Sequence, residues 1–335
     1  MTRALRFLAR RFAWAIVCVL GVTSLSFLVV EVLPGDPARM LLGPQASAAD
    51  VSRARAIYGL DRGVSVRFVK YWAHLIHRGP PPTPKDKDHR SCAALAGGVH
   101  LDLGYSFYYR KPVVDLLSAR IPRSIELALA ALLIQLTLGV SLGIGAAAKR
   151  GTAWDDAAMS ASLLGASAPT FLIGLLLQYI FAYKLGLLPF DGYGATTADH
   201  LRSLTLPALT LGLFGSAIYA RLTREEVAAA LGQDFARAAK ARGASGARVL
   251  IVHALRNALG PLTTMAALDL GTMVSGAVVT ERIFRWPGVG QLAVDAVLNR
   301  DGPVIFGTVL FSAAAVVVAT LTLDIVDVIL DPRQR

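Results

Sequence analysis

The chain has 335 residues, of which 54% are hydrophobic and only 17% charged. That balance is too apolar for a water-soluble domain of this size and indicates an integral membrane protein. The formal charge of +11 is scattered over loops and termini rather than gathered on one face, so membrane topology accounts for it and nucleic acid is not an expected partner.

The N-terminus carries Arg3, Arg6, Arg10 and Arg11 ahead of an uncharged run at 12–30. The run is longer than the core of a signal peptide and no A-x-A pattern follows it, so it is expected to remain as a first transmembrane helix entered from the cytoplasm. Residues 34–123 then turn polar, with Pro34, Pro37 and Pro44 breaking the helix, and read as an extracytoplasmic insertion. Within it, 50–76 predicts one amphipathic helix burying Val51, Ile57, Val66, Phe68, Val69, Trp72 and Ile76. The Pro- and charge-rich tract GPPPTPKDKDHR, within 78–98, is expected to loop out or be mobile, and 112–121 to form a short amphipathic helix leading to Pro122. His74 and His77 share a helical face, but a solvated face is the preferred reading and no metal is expected. Cys18 lies in the first apolar run and Cys92 in the insertion, so no disulfide is expected.

Further uncharged runs at 127–148, 157–183, 203–220 and 303–323 can each cross a bilayer. The stretch 257–280 is apolar except for Asp269 and is counted as another span, giving six transmembrane helices in an all-α membrane protein. The expected divisions are 1–33 (N-terminal segment and first helix), 34–123 (insertion) and 124–335 (core, containing a loop at 221–256). Small residues such as Gly139, Gly143 and Gly271 would let these helices approach closely. The N-terminal arginines, Lys149, Arg150, the basic residues of 221–256, Arg333 and Arg335 outnumber Lys184, Arg202, Arg282, Arg285 and Arg300 on the other side. The positive-inside rule therefore puts both termini and the 221–256 loop in the cytoplasm.

That loop holds the most informative stretch, QDFARAAKARGASGARVLIVHALRNALGP at 233–261. Asp234 can cap a short helix over 235–242 and Gly243 can end it in a left-handed turn. At helical spacing Phe235, Ala238, Ala239 and Arg242 share a face suited to lying against another protein, although a plain cytosolic loop that fixes topology is the competing reading. Asp269, inside a span, either lines a substrate pathway or bonds to a neighbouring helix. After 280, Glu281, Phe284, Pro287 and Gly288 read as an outer-side turn or gate, with Phe284 and Trp286 at the membrane interface and a short helix returning over 291–298. No G-x-x-x-x-G-K-[ST], H-E-x-x-H or G-x-S-x-G occurs. No catalytic residue or bound cofactor is expected, and any ATP energy must come from a partner. An ion-coupled secondary transporter leaning on Asp269 is the alternative from the residues alone.

Several segments together carry a resemblance: LPGDP (33–37), YGLD (58–61), LDLGYS (101–106), DFARAAKARGAS, HALRNALGP (253–261), ERIFRWPGVG (281–290), DGPVI (301–305) and DPR (331–333). In order and spacing they resemble the B-type permease subunit of the oligopeptide, dipeptide and nickel ABC importer family. The resemblance implies the type I importer permease fold in the bacterial inner membrane, with the large insertion between the first two helices. It identifies 237–243 with the EAA-x-x-x-G loop of such permeases, Arg237 standing where the family has Glu. Asp234, Phe235, Arg237, Ala238, Ala239, Lys240, Arg242 and Gly243 would then form a coupling helix seated on an ATPase subunit. Implied partners are a second homologous permease, two ATP-binding subunits that hold ATP and Mg, a substrate-binding protein, and membrane lipid. The implied cargo is peptide, with nickel, haem and glutathione as alternatives within the family.

Overall fold

The apolar runs fold into long helices whose breaks follow local chemistry. The structure, a computed structural model, describes residues 2–32, 37–43, 45–79, 91–94 and 98–330. Most of LPGDP, the DPR segment and the centre of the Pro-rich tract lie outside the described residues.

The first helix, α1 (Thr2–Val32), contains an apolar stretch at Arg10–Leu28 long enough to cross a membrane. A short α2 (Pro37–Leu42) follows, then α3 (Ala48–Tyr58) and α4 (Val64–Leu75). The Ser47 hydroxyl caps α3 by accepting from the Asp50 amide at 3.1 Å. Gly59, at φ +65°, ends it in a left-handed turn. The single helix expected over 50–76 is therefore two. The break resets the helical phase, so Ile57, Val66, Val69 and Ile76 are exposed, Phe68 and Trp72 half-buried, and only Val51 of the expected set is fully buried. Leu75, not expected, enters the core. Three short strands, β1 (Ile76–Arg78), β2 (Cys92–Ala94) and β3 (Val99–Asp102), pair antiparallel in the order β1-β3-β2. These strands apart, the described elements are helical.

Helix α5 (Val113–Ile134) runs through Pro122 without breaking and continues by a π-helical turn at Gln135–Val140 into α6 (Ser141–Ala148). The short helix expected over 112–121 therefore joins the span expected at 127–148, because a helix can forgo one N–H at a proline and carry on in a strongly apolar sequence. The run expected as one span at 157–183 is broken instead. Helix α7 (Ala153–Ser167) and α8 (Thr170–Leu177, extended by a π turn at Gln178–Lys184) meet at 99°. Ala168 is extended, as a residue before proline prefers, and Pro169 starts the next helix. Helix α9 (Thr197–Leu231) extends well past the expected span, through Arg221 and Arg224, so the expected 221–256 loop is largely helical. After it come α10 (Asp234–Ala241), α11 (Gly246–Arg248), a π turn at Val249–Ala254, and α12 (Leu255–Val274). The chain closes with α13 (Val278–Ile283), α14 (Val289–Leu298) and α15 (Gly302–Leu330).

Among the described residues four helices are long and apolar enough to cross a membrane, and five if the bent α7–α8 pair is taken as one span. The remaining expected crossing is α12. Its 20 residues give about 30 Å, sufficient in length, but Thr263, Thr264, Asp269 and Thr272 make it less apolar.

The chain divides into two compact units. One is Arg6–Pro122 with Gly288–Ala314, so the insertion shares a unit with α1 and α14 rather than standing alone as expected. Leu75, Leu103, Val113 and Leu117 pack there against Val289, Leu292, Val304 and Ile305. The other unit holds Arg123–Pro287 with Ala315–Arg335 and the first five residues. In that unit α9 packs on α5 and α6 at small residues. A Cβ added to Gly139 would lie 2.5 Å from Tyr219 Cβ, and one added to Gly143 would lie 2.5 Å from the Ala220 carbonyl oxygen. Gln135 is buried beside Gly215 and donates to the Leu211 carbonyl at 3.2 Å.

Candidate functional site

The short helix α10 is built on a stub formed by the end of α9 and the start of the next helical run. Gly232 and Gln233 turn off α9 by donating to Ala229 and Ala230 carbonyls at 3.1 and 3.2 Å. Gln233, extended, occupies the cap position, and Asp234, expected there, sits one residue later in the first turn. The carboxylate still complements the helix N-terminus and lies 3.6 Å from Arg237. Gly243, at φ +84°, ends the helix as expected. Its amide donates to the Lys240 carbonyl at 2.9 Å and the Ala244 amide to the Ala239 carbonyl at 3.1 Å. Ser245 then caps the next run by accepting from the Arg248 amide.

The face expected to be presented is split by the packing. Ala236 and Ala239 are buried against Val249, with Phe235 half-buried beside Leu231 and Ala244. Ala239 and Phe235 are thus seated inward and hold the helix on its stub, because the apolar side of α10 finds cover within the chain. The outward face carries Arg237, Ala238, Lys240, Ala241 and Arg242, all exposed. Arg237 donates to the Gly232 carbonyl at 3.1 Å and Arg242 to the Ala238 carbonyl at 3.2 Å, so both guanidiniums fold along the helix surface. The result is a platform of two methyl-sized side chains edged with cations. A partner's backbone can approach such a surface closely, and acidic groups at the partner's rim would complement it.

The helix from which α10 turns off is tied to α7 by a contact that sequence reading missed. Arg224, on the last turns of α9, grips Asp155 at the start of α7 through Nε at 2.9 Å and Nη2 at 2.7 Å. The Asp155 carboxylate also accepts from the Gly151 amide at 3.0 Å. A bidentate guanidinium and a backbone amide thus satisfy both carboxylate oxygens. The sequence signal was weak: two charges at the edges of apolar runs, far apart in the chain.

Asp269 is half-buried on α12 next to Tyr219 of α9, which is fully buried. Of the expected outer turn, Glu281, Phe284 and Gly288 are buried and Pro287 half-buried. The Glu281 carboxylate accepts from the Ser124 hydroxyl at 2.9 Å, and its carbonyl from the Trp286 amide at 2.9 Å. Trp286, fully buried, donates its indole N–H to the Arg123 carbonyl at 3.0 Å. Phe284 and Trp286 are therefore packing anchors rather than interfacial side chains. The α14 helix follows where a short returning helix was expected.

A second joint explains two of the quoted motifs. Asp301 of DGPVI, fully buried, accepts from the Ser106 hydroxyl of LDLGYS at 2.5 Å. It also accepts from the Tyr108 and Phe107 amides at 3.0 and 3.3 Å.

Comparison with known proteins agrees with this architecture. Residues 139–335 match the family described as binding-protein-dependent transport system inner membrane component, and residues 4–128 match the N-terminal domain of the same kind of protein. A Brucella abortus (strain 2308) protein described as a peptide transport system permease is 37% identical over 329 residues, covering 97% of this chain and 98% of the relative. The glutathione transport system permease protein GsiC of Salmonella paratyphi A is 34% identical over 331 residues, covering 99% of both. A chain of the MetNI methionine ABC transporter, in an inward-facing conformation, has the same fold at a TM-score of 0.55 and 15% identity, covering 66% of this chain and 98% of that one. The chain belongs to the binding-protein-dependent transport system inner membrane component family and is a multi-pass inner-membrane permease subunit of an ABC importer.

Proposed function

We propose that this permease forms half of the translocation pathway for peptides, paired with a second homologous permease. Two ATP-binding subunits, which hold the ATP and Mg, dock on the side bearing α10, and a substrate-binding protein delivers cargo to the opposite side. The carrying observation is the split face of α10: its apolar side is consumed by the chain itself, leaving Arg237, Ala238, Lys240, Ala241 and Arg242 to a partner. The basic residues of the N-terminus and of 221–256 support placing both termini and α10 in the cytoplasm. In this reading ATP-driven closure of the ATPases moves α10. Through the continuous helical run from α11 into α12, and through α9, that movement reaches the spans on either side. The names of the Brucella and Salmonella relatives support a peptide cargo, glutathione being itself a small peptide.

The test is uptake of a labelled dipeptide into vesicles carrying the chain with its partner permease, ATPases and binding protein. Uptake is expected to need ATP and every subunit. Transport by the chain alone on a proton or sodium gradient would overturn the reading.

A further inference from the structure

Where α1 and α15 reach the insertion lies a cavity of about 710 Å³, wholly within the unit formed by Arg6–Pro122 and Gly288–Ala314. That volume suits a ligand of some tens of atoms. Its floor is apolar and lies at the ends of two membrane-crossing stretches. Phe27 and Val30 come from α1, near the end of Arg10–Leu28, and Ile305 and Phe306 come from the first turns of Gly302–Leu323. The Phe27 and Phe306 rings stack with centroids 5.5 Å apart. On the same stretch of α1, Leu25 and Leu28 are exposed, an apolar surface of the kind acyl chains cover.

The walls are cationic. Arg55, Arg62, Arg67, Lys70 and Arg300 line the cavity against two carboxylates, Glu31 and Asp61. Glu31 is already bound to Arg67. Two further donors are buried without a hydrogen-bond partner among the described residues: Arg67 Nε and the Tyr71 hydroxyl, both on the cavity wall. Burial, and secondarily Asp102, push the Tyr71 hydroxyl up to about 12, so it keeps its proton and can donate. Buried donors left over beside several cations call for an anionic acceptor.

We propose that this cavity is a binding site for an anionic phospholipid of the adjoining leaflet. The phosphodiester accepts from Arg67 and Tyr71 among the cations, and the acyl chains lie over Phe27 and Phe306 and along α1. A zwitterionic peptide fits less well, because its ammonium would find only Glu31, already paired, and Asp61. A lipid head carrying negative charge alone, above two apolar tails, matches both the walls and the floor.

The experiment uses the full-length chain purified in a mild detergent. Dioleoyl-phosphatidylglycerol and dioleoyl-phosphatidylcholine are titrated by native mass spectrometry, with glycerol 3-phosphate and dialanine as competitors. Phosphatidylglycerol is expected to bind at least tenfold tighter than phosphatidylcholine, and neither soluble competitor should displace it. Arg62 and Lys70 are exposed, so the paired substitution Arg62→Gln with Lys70→Gln leaves the fold intact. It should lower phosphatidylglycerol binding about tenfold without changing phosphatidylcholine. Arg53→Gln, on α3 but outside the cavity, should change neither. Equal binding of the two lipids, or wild-type binding by the double variant, overturns the proposal. Displacement by glycerol 3-phosphate would make the cavity a site for a free anion, and displacement by dialanine a peptide site; either result also overturns it.

Discussion

The Arg224 guanidinium holds both carboxylate oxygens of Asp155, through Nη2 at 2.7 Å and Nε at 2.9 Å, and so ties the last turns of α9 to the start of α7. Asp155 is 2% exposed and Arg224 25%, so solvent cannot replace either partner readily. Arg224→Ala leaves the carboxylate without its counter-ion. The expected outcome is a melting midpoint lower by about 5 °C or more in detergent, and easier proteolysis between α6 and α7. A melt indistinguishable from that of the wild type would show that the brace contributes nothing.

Helix α6 approaches α9 through Gly143, where an added Cβ would meet the Ala220 carbonyl oxygen at 2.5 Å and Thr223 Cβ at 2.6 Å. Backbone cannot swing aside as a side chain can. Gly143→Ala is expected to destabilise by about 1–3 kcal/mol and Gly143→Leu to block insertion of folded protein. Gly145→Ala, whose Cβ would meet only Trp154 at 3.6 Å, serves as the tolerant control in the same thermal melt.

The carboxylate of Asp301 gathers the Ser106 hydroxyl and two amides. Ser106→Ala removes the shortest of these bonds to a buried charge and is expected to cost about 1.5–3 kcal/mol. Hydrogen exchange should then quicken at the amides of Phe107 and Tyr108 first. Unchanged exchange there would place the stability of this turn elsewhere.

Much of this was legible in the sequence, and the failures share a cause. The apolar runs announced the membrane helices because hydropathy is a local property. The left-handed ends at Gly59 and Gly243 are also local, although only the second was read. Pro122 is carried within a helix while Pro169 sits at a break inside the run at 157–183, because whether a proline is carried or breaks the helix depends on what packs beside it. The outward face of α10 was half right for the same reason. Helical spacing groups Phe235, Ala238, Ala239 and Arg242, but only Val249 and Leu231, from neighbouring elements, determine which of them turn inward. The Arg224–Asp155 and Ser106–Asp301 pairs join segments far apart in the chain and had no local signature.

That split face separates two substitutions that spacing alone would treat alike. Ala239→Glu places a carboxylate in the pocket formed by Ala236 and Val249 and is expected to dislodge α10, making 232–246 protease-sensitive. Ala238→Glu, on the exposed side, should leave that segment as resistant as in the wild type while still impairing transport. Equal protease sensitivity in the two variants would contradict the packing of α10.

The most direct test of the central claim is a cysteine scan of 234–243 in the assembled importer, read as disulfide crosslinks to cysteines placed around the ATPase subunit's groove. Crosslinks are predicted at Ala238, Ala241 and Arg242 and not at Ala236 or Ala239, following the exposed face. Crosslinks that are absent throughout, or that fall on Ala236 and Ala239 instead, would contradict the docking of α10.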